Sequence, residues 1–411
     1  MNLLVVTQYY YPEPFRITEI CETLAARGHH VHVITSVPNV PDGQFYEGYG
    51  WFRYGEKERN GVSIERCDCI KRGNNSGLRW ALNCTSFLIT SFFHTFGKKR
   101  DGFDAVLVFN NSPITTIVPA ARIARRLKIP LITWVLDLWP ESMFFLIGID
   151  GIQKHALFKR AARSYCNHLY RKCDWILMSS KGFEKKIRDT GFTGQIRYFP
   201  NFAEETAESE QRSREEVGFG PDDFVIGFAG NVGRAQGLDY TVAATEQLAE
   251  PKLRWLIVGD GPDLVHLKEL IAEKGLGTHY RFTGRVPGTA VPGYLGICDC
   301  LFVPLMDQEV LNLTVPAKVQ TYMKSGRPLI AFMNGAGADV VREARCGVTA
   351  SAERVEELCD AIRGVLTLDK DALIKMGERG REYCRENFDR DSLITKLEGY
   401  LREAVELYRG K

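Results

Sequence analysis

The chain begins with an apolar run, Leu3 to Thr7, then a helical pattern from Arg16 to Ala26 closed by Gly28, then a second apolar run, Val31 to Thr35. That order is a βαβ unit with a glycine stop after its helix. Further strands are predicted at Ala105 to Phe109, Leu131 to Leu136, Trp175 to Met178 and Ile196 to Phe199, with helical periodicity between them. Continuous apolar runs spaced by helices indicate a parallel sheet covered on both faces. Between Ala203 and Asp223 the periodicity stops and the chain becomes Glu- and Ser-rich, as a solvated linker does. The alternation then restarts, with strands predicted at Phe224 to Ala229, Arg254 to Val258, Arg281 to Thr283, Cys300 to Val303 and Leu329 to Phe332. Two doubly wound α/β domains in tandem account for this pattern. Ligands in such sheets sit beyond the carboxyl ends of the strands, so the active site is expected in the cleft between the halves.

One segment breaks the alternation. From Trp80 to Gly97 there is no Asp, Glu, Lys or Arg. Asn83, Ser86, Thr90 and His94 nevertheless recur at helical spacing, opposite Leu88, Phe92 and Phe96, so the segment is read as an amphipathic helix and not as a span. Arg79 precedes it and Lys98, Lys99 and Arg100 follow. Two readings stand: a helix lying in a bilayer surface with basic flanks, or one packed on its own domain with the polar stripe in water.

Charge sharpens that choice. The 411 residues carry 53 Lys and Arg against 51 Asp and Glu, net +2. Residues 1–200 hold 27 against 17, net +10, which leaves 26 against 34, net −8, in the remainder. A neutral total therefore hides a basic half suited to an anionic partner. Within it the run Gly151 to Cys173 holds Lys154, Lys159, Arg160, Arg163, Arg171 and Lys172 and no acid. It reads as a solvated helix face or, together with the Trp80–Arg100 segment, as a docking surface for anionic lipid. Nucleic acid is not expected, because no helix-turn-helix spacing, zinc finger or RRM aromatic signature is present. Eleven cysteines, an odd number, are too scattered for a disulfide framework. Cys67-x-Cys69 and Cys298-x-Cys300 lack zinc spacing and are assigned to core packing. The opening directly into a strand shows no basic n-region or cleavage site, so no secretory signal is expected, and a reduced cytoplasmic setting is.

The chemistry-bearing motifs lie mainly in the second half. The first β-turn-α, Gln8-Tyr9-Tyr10-Tyr11-Pro12-Glu13-Pro14-Phe15-Arg16, lacks G-x-G-x-x-G, which disfavours a nicotinamide or flavin dinucleotide. A glycine-rich turn instead follows the Phe224 strand as Gly230-Asn231-Val232-Gly233-Arg234-Ala235-Gln236-Gly237. Such a turn lets backbone approach phosphate, with Arg234 adding a charge-assisted contact. Val258-Gly259-Asp260-Gly261-Pro262 gives a tight turn past a base or ribose. In Leu313-Thr314-Val315-Pro316-Ala317-Lys318, Pro316 suits the first turn of a helix, the preceding residues are expected to leave N–H groups unpaired, and Lys318 makes the helix start an anion site. Each of these is also compatible with plain turn or capping chemistry. Asp137, ending the Leu131 strand at the expected ligand edge, is a candidate catalytic or orienting carboxylate, or else a cap of the following turn; Glu141 is a second candidate. Arg16 opens the first helix, where it meets a ligand anion or is simply a solvated first-turn residue.

These residues resemble the retaining glycosyltransferases of family 4, over nearly the whole chain. The resemblance is carried by Phe228 to Gly237, Ile257 to Pro262, Phe282-Thr283-Gly284, Cys298 to Leu305, and Pro316 to Pro328 with Tyr322-Met323 and Gly326-Arg327-Pro328 at its centre, together with Pro200-Asn201 in the first half. Tyr10 to Arg16, Trp134 to Ser142 and Pro316 to Tyr322 look most like the bacterial polysaccharide branch that contains the L-fucosamine transferases of O-antigen assembly. The resemblance implies the GT-B architecture, two Rossmann-like domains. Residues 1–202 form the acceptor side, 203–387 the nucleotide-sugar side, and 388–411 a helix returning to the first domain.

It also implies a function and a site. A sugar passes from a nucleotide-diphosphate donor, with UDP-N-acetyl-L-fucosamine favoured, to an acceptor met by Asp137, Glu141 and Arg16, without metal or other cofactor; the basic half and its lysine- and arginine-rich run add the expectation of a polyprenyl-diphosphate-linked glycan on the inner face of the cytoplasmic membrane. Donor contacts fall on Gly230, Asn231, Gly233, Arg234, Gln236, Gly259, Asp260, Gly261, Leu313, Thr314, Val315, Pro316, Lys318 and Thr321. Two departures mark this chain: Asn231 and Gln236 stand where many members have Arg and Lys, and Leu313 and Thr321 stand where the family has a Glu pair. Lys318 and Arg234 are the expected replacements for the lost positive charge. Competing readings are a GDP-fucose-type transferase, a nucleotide-sugar epimerase of the same architecture, and a non-catalytic sugar-binding module.

Overall fold

The structure, a computed structural model, describes residues 1–73, 76–96, 101–111, 113–147, 155–203 and 210–410. The chain divides into two compact units, Met1–Pro200 with Asp391–Lys411, and Asn201–Arg390.

Unit 1 is built on β1 (Asn2–Val6), β2 (His30–Ser36), short β3 (Tyr49–Gly50), β4 (Arg53–Tyr54) and β5 (Glu58–Arg59), then β6 (Val62–Cys67), β7 (Ala105–Asn110), β8 (Leu131–Val135), β9 (Trp175–Met178) and β10 (Gln195–Tyr198). Its main sheet runs β10-β9-β8-β7-β1-β2-β6-β5, parallel except for the β5 edge. The central strands β1, β7 and β8 are buried almost throughout, as the apolar runs require. Helices α1 (Arg16–Ala26), α2 (Gly77–His94), α3 (Ile117–Leu127), α4 (Glu141–Leu146), α5 (Ala156–Tyr170) and α6 (Phe183–Asp189) connect them.

In unit 2, β11 (Phe224–Ala229), β12 (Leu253–Val258), β13 (Tyr280–Gly284), β14 (Cys300–Pro304), β15 (Leu329–Phe332) and β16 (Gly347–Ala350) form a wholly parallel sheet ordered β13-β12-β11-β14-β15-β16. Its helices are α7 (Arg214–Val217), α8 (Asp239–Leu248), α9 (Leu264–Glu273), α10 (Val291–Gly296), α11 (Glu309–Asn312), α12 (Ala317–Ser325), α13 (Ala336–Ala344), α14 (Val355–Leu366) and α15 (Lys370–Asn387). The last helix, α16 (Arg390–Arg409), belongs to unit 1. It buries Leu393, Ile394, Leu397 and Leu401, and Glu398 accepts from Arg27 (2.8 Å) and His29 (2.7 Å). Burial opposes ionisation of Glu398, but the bonds from His29 and Arg27 hold its carboxyl below the usual range.

Three expectations need correction. The Ala203 to Asp223 stretch is not wholly a solvated loop: α7 starts at a capping box made by Ser213 and Glu216, and Arg214 pairs with Asp299 at 2.7 Å. Residues 204–209 lie outside the described residues. The wet stripe on α2 is the second. Asn83 is fully buried, donating to Ile70 O (2.7 Å) and accepting from Gln8 Nε2 (2.7 Å). Ser86 accepts from Ile70 N, Thr90 donates to Asp68 O, and His94 bonds Glu65. The segment after β6 offers unpaired backbone groups that only polar side chains can satisfy, so the stripe faces inward and leaves Leu78, Ile89 and Phe93 at 73%, 50% and 65% exposure. Gly97, Lys98, Lys99, Arg100 and Lys154 lie outside the described residues. The third correction, at Leu313 and Thr314, belongs to the site below.

All eleven cysteines are buried and free; Cys298 and Cys300 join different core clusters of unit 2. Among the described residues no helix is long and apolar enough to cross a membrane.

Candidate functional site

In unit 2 the loops leaving the carboxyl ends of β11 and β12 lie backbone against backbone. Gly230 N donates to Val258 O (2.8 Å), Val232 N to Asp260 O (2.9 Å) and Asp263 N to Val232 O (3.1 Å). A Cβ on Gly259, whose φ is +136°, would lie 2.0 Å from Gly230 O, so this crossing admits glycine alone. Helix α12 is pinned above it. The buried Tyr322 hydroxyl accepts from Ala229 N at 2.7 Å, and one turn earlier Lys318 reaches the same edge.

Lys318 Nζ lies 4.0 Å from the Phe228 ring centroid, and a Cβ on Gly230 would approach its Cε to 2.6 Å. Burial pushes its pKa down to about 8. A desolvated ammonium at the first turn of a nine-residue helix, over glycine-lined backbone, has the charge and geometry to receive an anion. Beside it a cavity of about 480 Å³ is bounded by Gly230, Asn231, Gly259, Asp260, Arg285 and Val286. Its size and mixed lining suit a nucleoside.

The remaining sequence candidates divide. Arg234 sits exposed in the turn Arg234–Gln236 with no ion-pair partner among the described residues. Asn231 is exposed, whereas Gln236 closes its own loop by accepting from Gly233 N (3.2 Å) and Asp260 accepts from Gly261 N (2.8 Å). The expected free N–H groups of Leu313 and Thr314 are occupied: they donate to Glu309 O (3.3 Å) and Leu311 O (3.0 Å), because the unpredicted α11 runs directly into them. Val315 is core, and Thr321 donates back to Ala317 O. Pro316 is the cap of α12, which begins at Ala317; Val319 N donates to Pro316 O (2.9 Å), so within the first turn the amides with no acceptor among the described residues are those of Ala317 and Lys318.

In unit 1 the chain leaves β1 toward β2 on one side and β7 toward β8 on the other, so the β1/β7 boundary is the switch point where such sheets bind ligands. Unsatisfied polar groups gather there. Asn110, ending β7, is fully buried with both amide atoms unpaired among the described residues, as are Gln8 Oε1 and Trp139 Nε1. Asp137, after β8, keeps partial exposure but has no hydrogen-bond or ion-pair partner among the described residues. Desolvation raises its carboxyl to about 7, and it caps no helix. Glu141 is tied to Arg163 (3.3 Å), and Arg16, the first residue of α1, is half-buried.

Asn110, Arg285 and Glu13 were missed from sequence. Glu13 is buried and accepts from Asn39 N (2.8 Å) and Val40 N (2.9 Å), locking the loop after β1 to the loop after β2. Burial outweighs those bonds and lifts it to about 7. An acid between Pro12 and Pro14 was its available signal. Among the described residues no group of three His, Cys, Asp or Glu side chains is placed to hold a metal.

Residues 15–201 match the model of the glycosyl transferase 4-like domain, and residues 209–383 that of glycosyl transferases group 1. A putative colanic acid biosynthesis glycosyl transferase, WcaI of Escherichia coli K12, is 25% identical over 97% of this chain and 98% of its own. Sucrose-phosphate synthase from Thermosynechococcus elongatus superposes with a TM-score of 0.73 at 16% identity, covering 100% of this chain and 99% of its own. Anabaena Alr3699/HepE in complex with UDP does so at 0.70 and 14%, covering 98% and 100%. The fold is GT-B, and with the two family matches together spanning most of the chain, the protein belongs to the glycosyltransferases that join a family 4-like domain to a group 1 domain.

Proposed function

We propose that the protein is a retaining transferase of surface-polysaccharide assembly, taking a sugar from a nucleotide diphosphate to a lipid-diphosphate-linked glycan. The observation that carries this reading is Lys318, a partly desolvated cation poised between Phe228 and Gly230 at the start of α12. In the reaction the bond from the sugar anomeric carbon to the β-phosphate oxygen breaks, and a bond from that carbon to the acceptor oxygen forms. Negative charge grows on the departing diphosphate, where the Lys318 ammonium, the Ala317 and Lys318 amides at the start of α12, and Arg234 stabilise it. The acceptor proton passes to the departing phosphate, with Asp137, ionised, orienting the hydroxyl. Glu141, already paired with Arg163, is the weaker candidate.

UDP is the favoured nucleotide, since UDP occupies the Anabaena neighbour, and a UDP-N-acetyl-deoxysugar such as UDP-N-acetyl-L-fucosamine is the favoured donor through the branch resemblance. We read the reaction as metal-independent, and turnover unaffected by EDTA is the check. The relation to WcaI supports an exopolysaccharide setting. The acceptor is lipid-linked, and the basic first half, with α2 and α5, is read as docking on the anionic inner face of the cytoplasmic membrane. A panel of UDP, GDP, ADP and dTDP sugars tests the donor by thermal shift: a ligand at about 100 times its dissociation constant adds roughly 2.7 kcal/mol of stability. Release of UDP only when a lipid-diphosphate glycan is present supports transfer. Release without acceptor points to the epimerase reading, and affinity without release to a binding module.

A further inference from the structure

One face of unit 1 turns apolar side chains to solvent. α2 exposes Leu78, Leu82, Ile89 and Phe93, Phe96 follows just past its end, and α5 exposes Leu157 (85%) and Phe158 beside Arg160 and Arg163. The connections β6 to β7, β7 to β8 and β8 to β9 all step the same way along the sheet. Right-handed crossovers therefore put α2, α3 and α5 on one face, with α3 in the middle. Above α3 is a groove of about 820 Å³. Val118 and Ala121 line it with small apolar side chains, Phe92 and Tyr408 contribute aromatic surface, and Arg125 and Lys172 add charge.

The Arg125 and Lys172 side chains are exposed and have no hydrogen-bond or ion-pair partner among the described residues. Arg122 is held in place, its guanidinium 3.7 Å from the Phe96 centroid and donating to Thr95 Oγ1 at 2.9 Å. Asp174, the carboxylate on this wall, already accepts from Leu131 N at 2.9 Å. Small apolar lining with cations free at the edge, continuous with an exposed apolar row, is the shape of a phosphate ester carrying hydrocarbon.

We infer that this groove binds the phosphate headgroup of an anionic phospholipid while the outer row of α2 enters the bilayer interface. The inference rests on the membrane-docking reading above and adds to it a defined headgroup site. The experiment is flotation of the full chain with vesicles of phosphatidylcholine, with and without phosphatidylglycerol. Arg125→Glu/Lys172→Glu is compared with Lys252→Glu/Lys375→Glu, which makes the same charge change at two exposed lysines of unit 2. The groove variant should lose roughly thirtyfold in partition to phosphatidylglycerol vesicles, the control little.

Equal losses in both variants, or none in the groove variant, overturn the headgroup site and leave docking intact. No vesicle binding by the unaltered chain overturns docking as well, as does equal binding to both lipids for the anionic part. Glycerol 3-phosphate provides the soluble arm: a melting shift lost in the groove variant, with no vesicle binding, assigns the groove to a free anion and overturns the lipid. Arg125→Gln/Lys172→Gln replaces the reversal if that fails to fold by circular dichroism.

Discussion

Lys318 Nζ lies 4.0 Å from the Phe228 ring centroid and has no carboxylate partner among the described residues. Its stabilisation is therefore a ring face and, in the proposed reaction, the donor phosphate. Lys318→Ala should weaken UDP binding about tenfold to a hundredfold, the loss of one charge-assisted contact. Burial lowers its pKa to about 8, so the free protein carries the charge below that value and loses it above. UDP affinity should fall as pH rises past 8, and Lys318→Arg, charged throughout, should flatten that fall in calorimetric titrations.

Gly259→Ala should remove donor binding together with stability. Its Cβ would meet Gly230 O at 2.0 Å, and its φ of +136° strains any L side chain. A destabilisation of about 2–4 kcal/mol is expected, read as an earlier denaturant midpoint for unit 2.

For Asp137→Asn, turnover should drop about a hundredfold with donor affinity unchanged. The orienting form is the carboxylate, which desolvation delays to about pH 7. The unaltered enzyme should accordingly show a rising limb of kcat/KM near neutrality that is missing from the variant. Near-normal turnover in Asp137→Asn would remove the residue from the reaction.

Asn110→Leu separates binding from folding. Both amide atoms are buried and unpaired among the described residues, so an apolar side chain of similar volume should leave the melting temperature unchanged or raise it. If that amide serves acceptor recognition, the acceptor KM rises in the same protein; an unchanged KM excludes it.

Stability should decline as pH rises from about 4.5 to 7. Glu13 has a raised folded-state pKa of about 7, so its favourable contribution is complete below 4.5 and lost as pH rises through 7. Asp137, raised to about 7 from its ordinary 3.8, acts in the same direction. In Glu13→Gln the difference between denaturant midpoints at pH 5 and pH 8 should narrow without vanishing.

How legible all this was depended on the range over which each signal acts. The parallel strands and the two glycine turns could be read because apolar runs and Gly230, Gly259 and Gly261 obey local backbone rules, whereas the crossing of those turns is tertiary and could not. The start of α12 at Pro316 was legible for the same reason. Leu313 and Thr314 were misjudged because α11, four residues long, is too short to show periodicity. The phase of the α2 stripe was visible but not which side is buried, since its partners are backbone groups of Asp68 and Ile70 that carry no sequence signature. Asn110 reads as the end of a strand, and only the tertiary neighbours reveal an amide left unsatisfied.

The place of α16 has a consequence for how the chain is made. Unit 1 draws on residues 1–200 and again on 391–411, so the polypeptide passes between units twice and a single cut near residue 200 leaves them still joined. On the ribosome the first unit emerges early yet lacks the helix that covers Arg27 and His29 until the second unit has been synthesised. Folding of unit 1 is completed from its far end, and the nascent protein waits on its last helix.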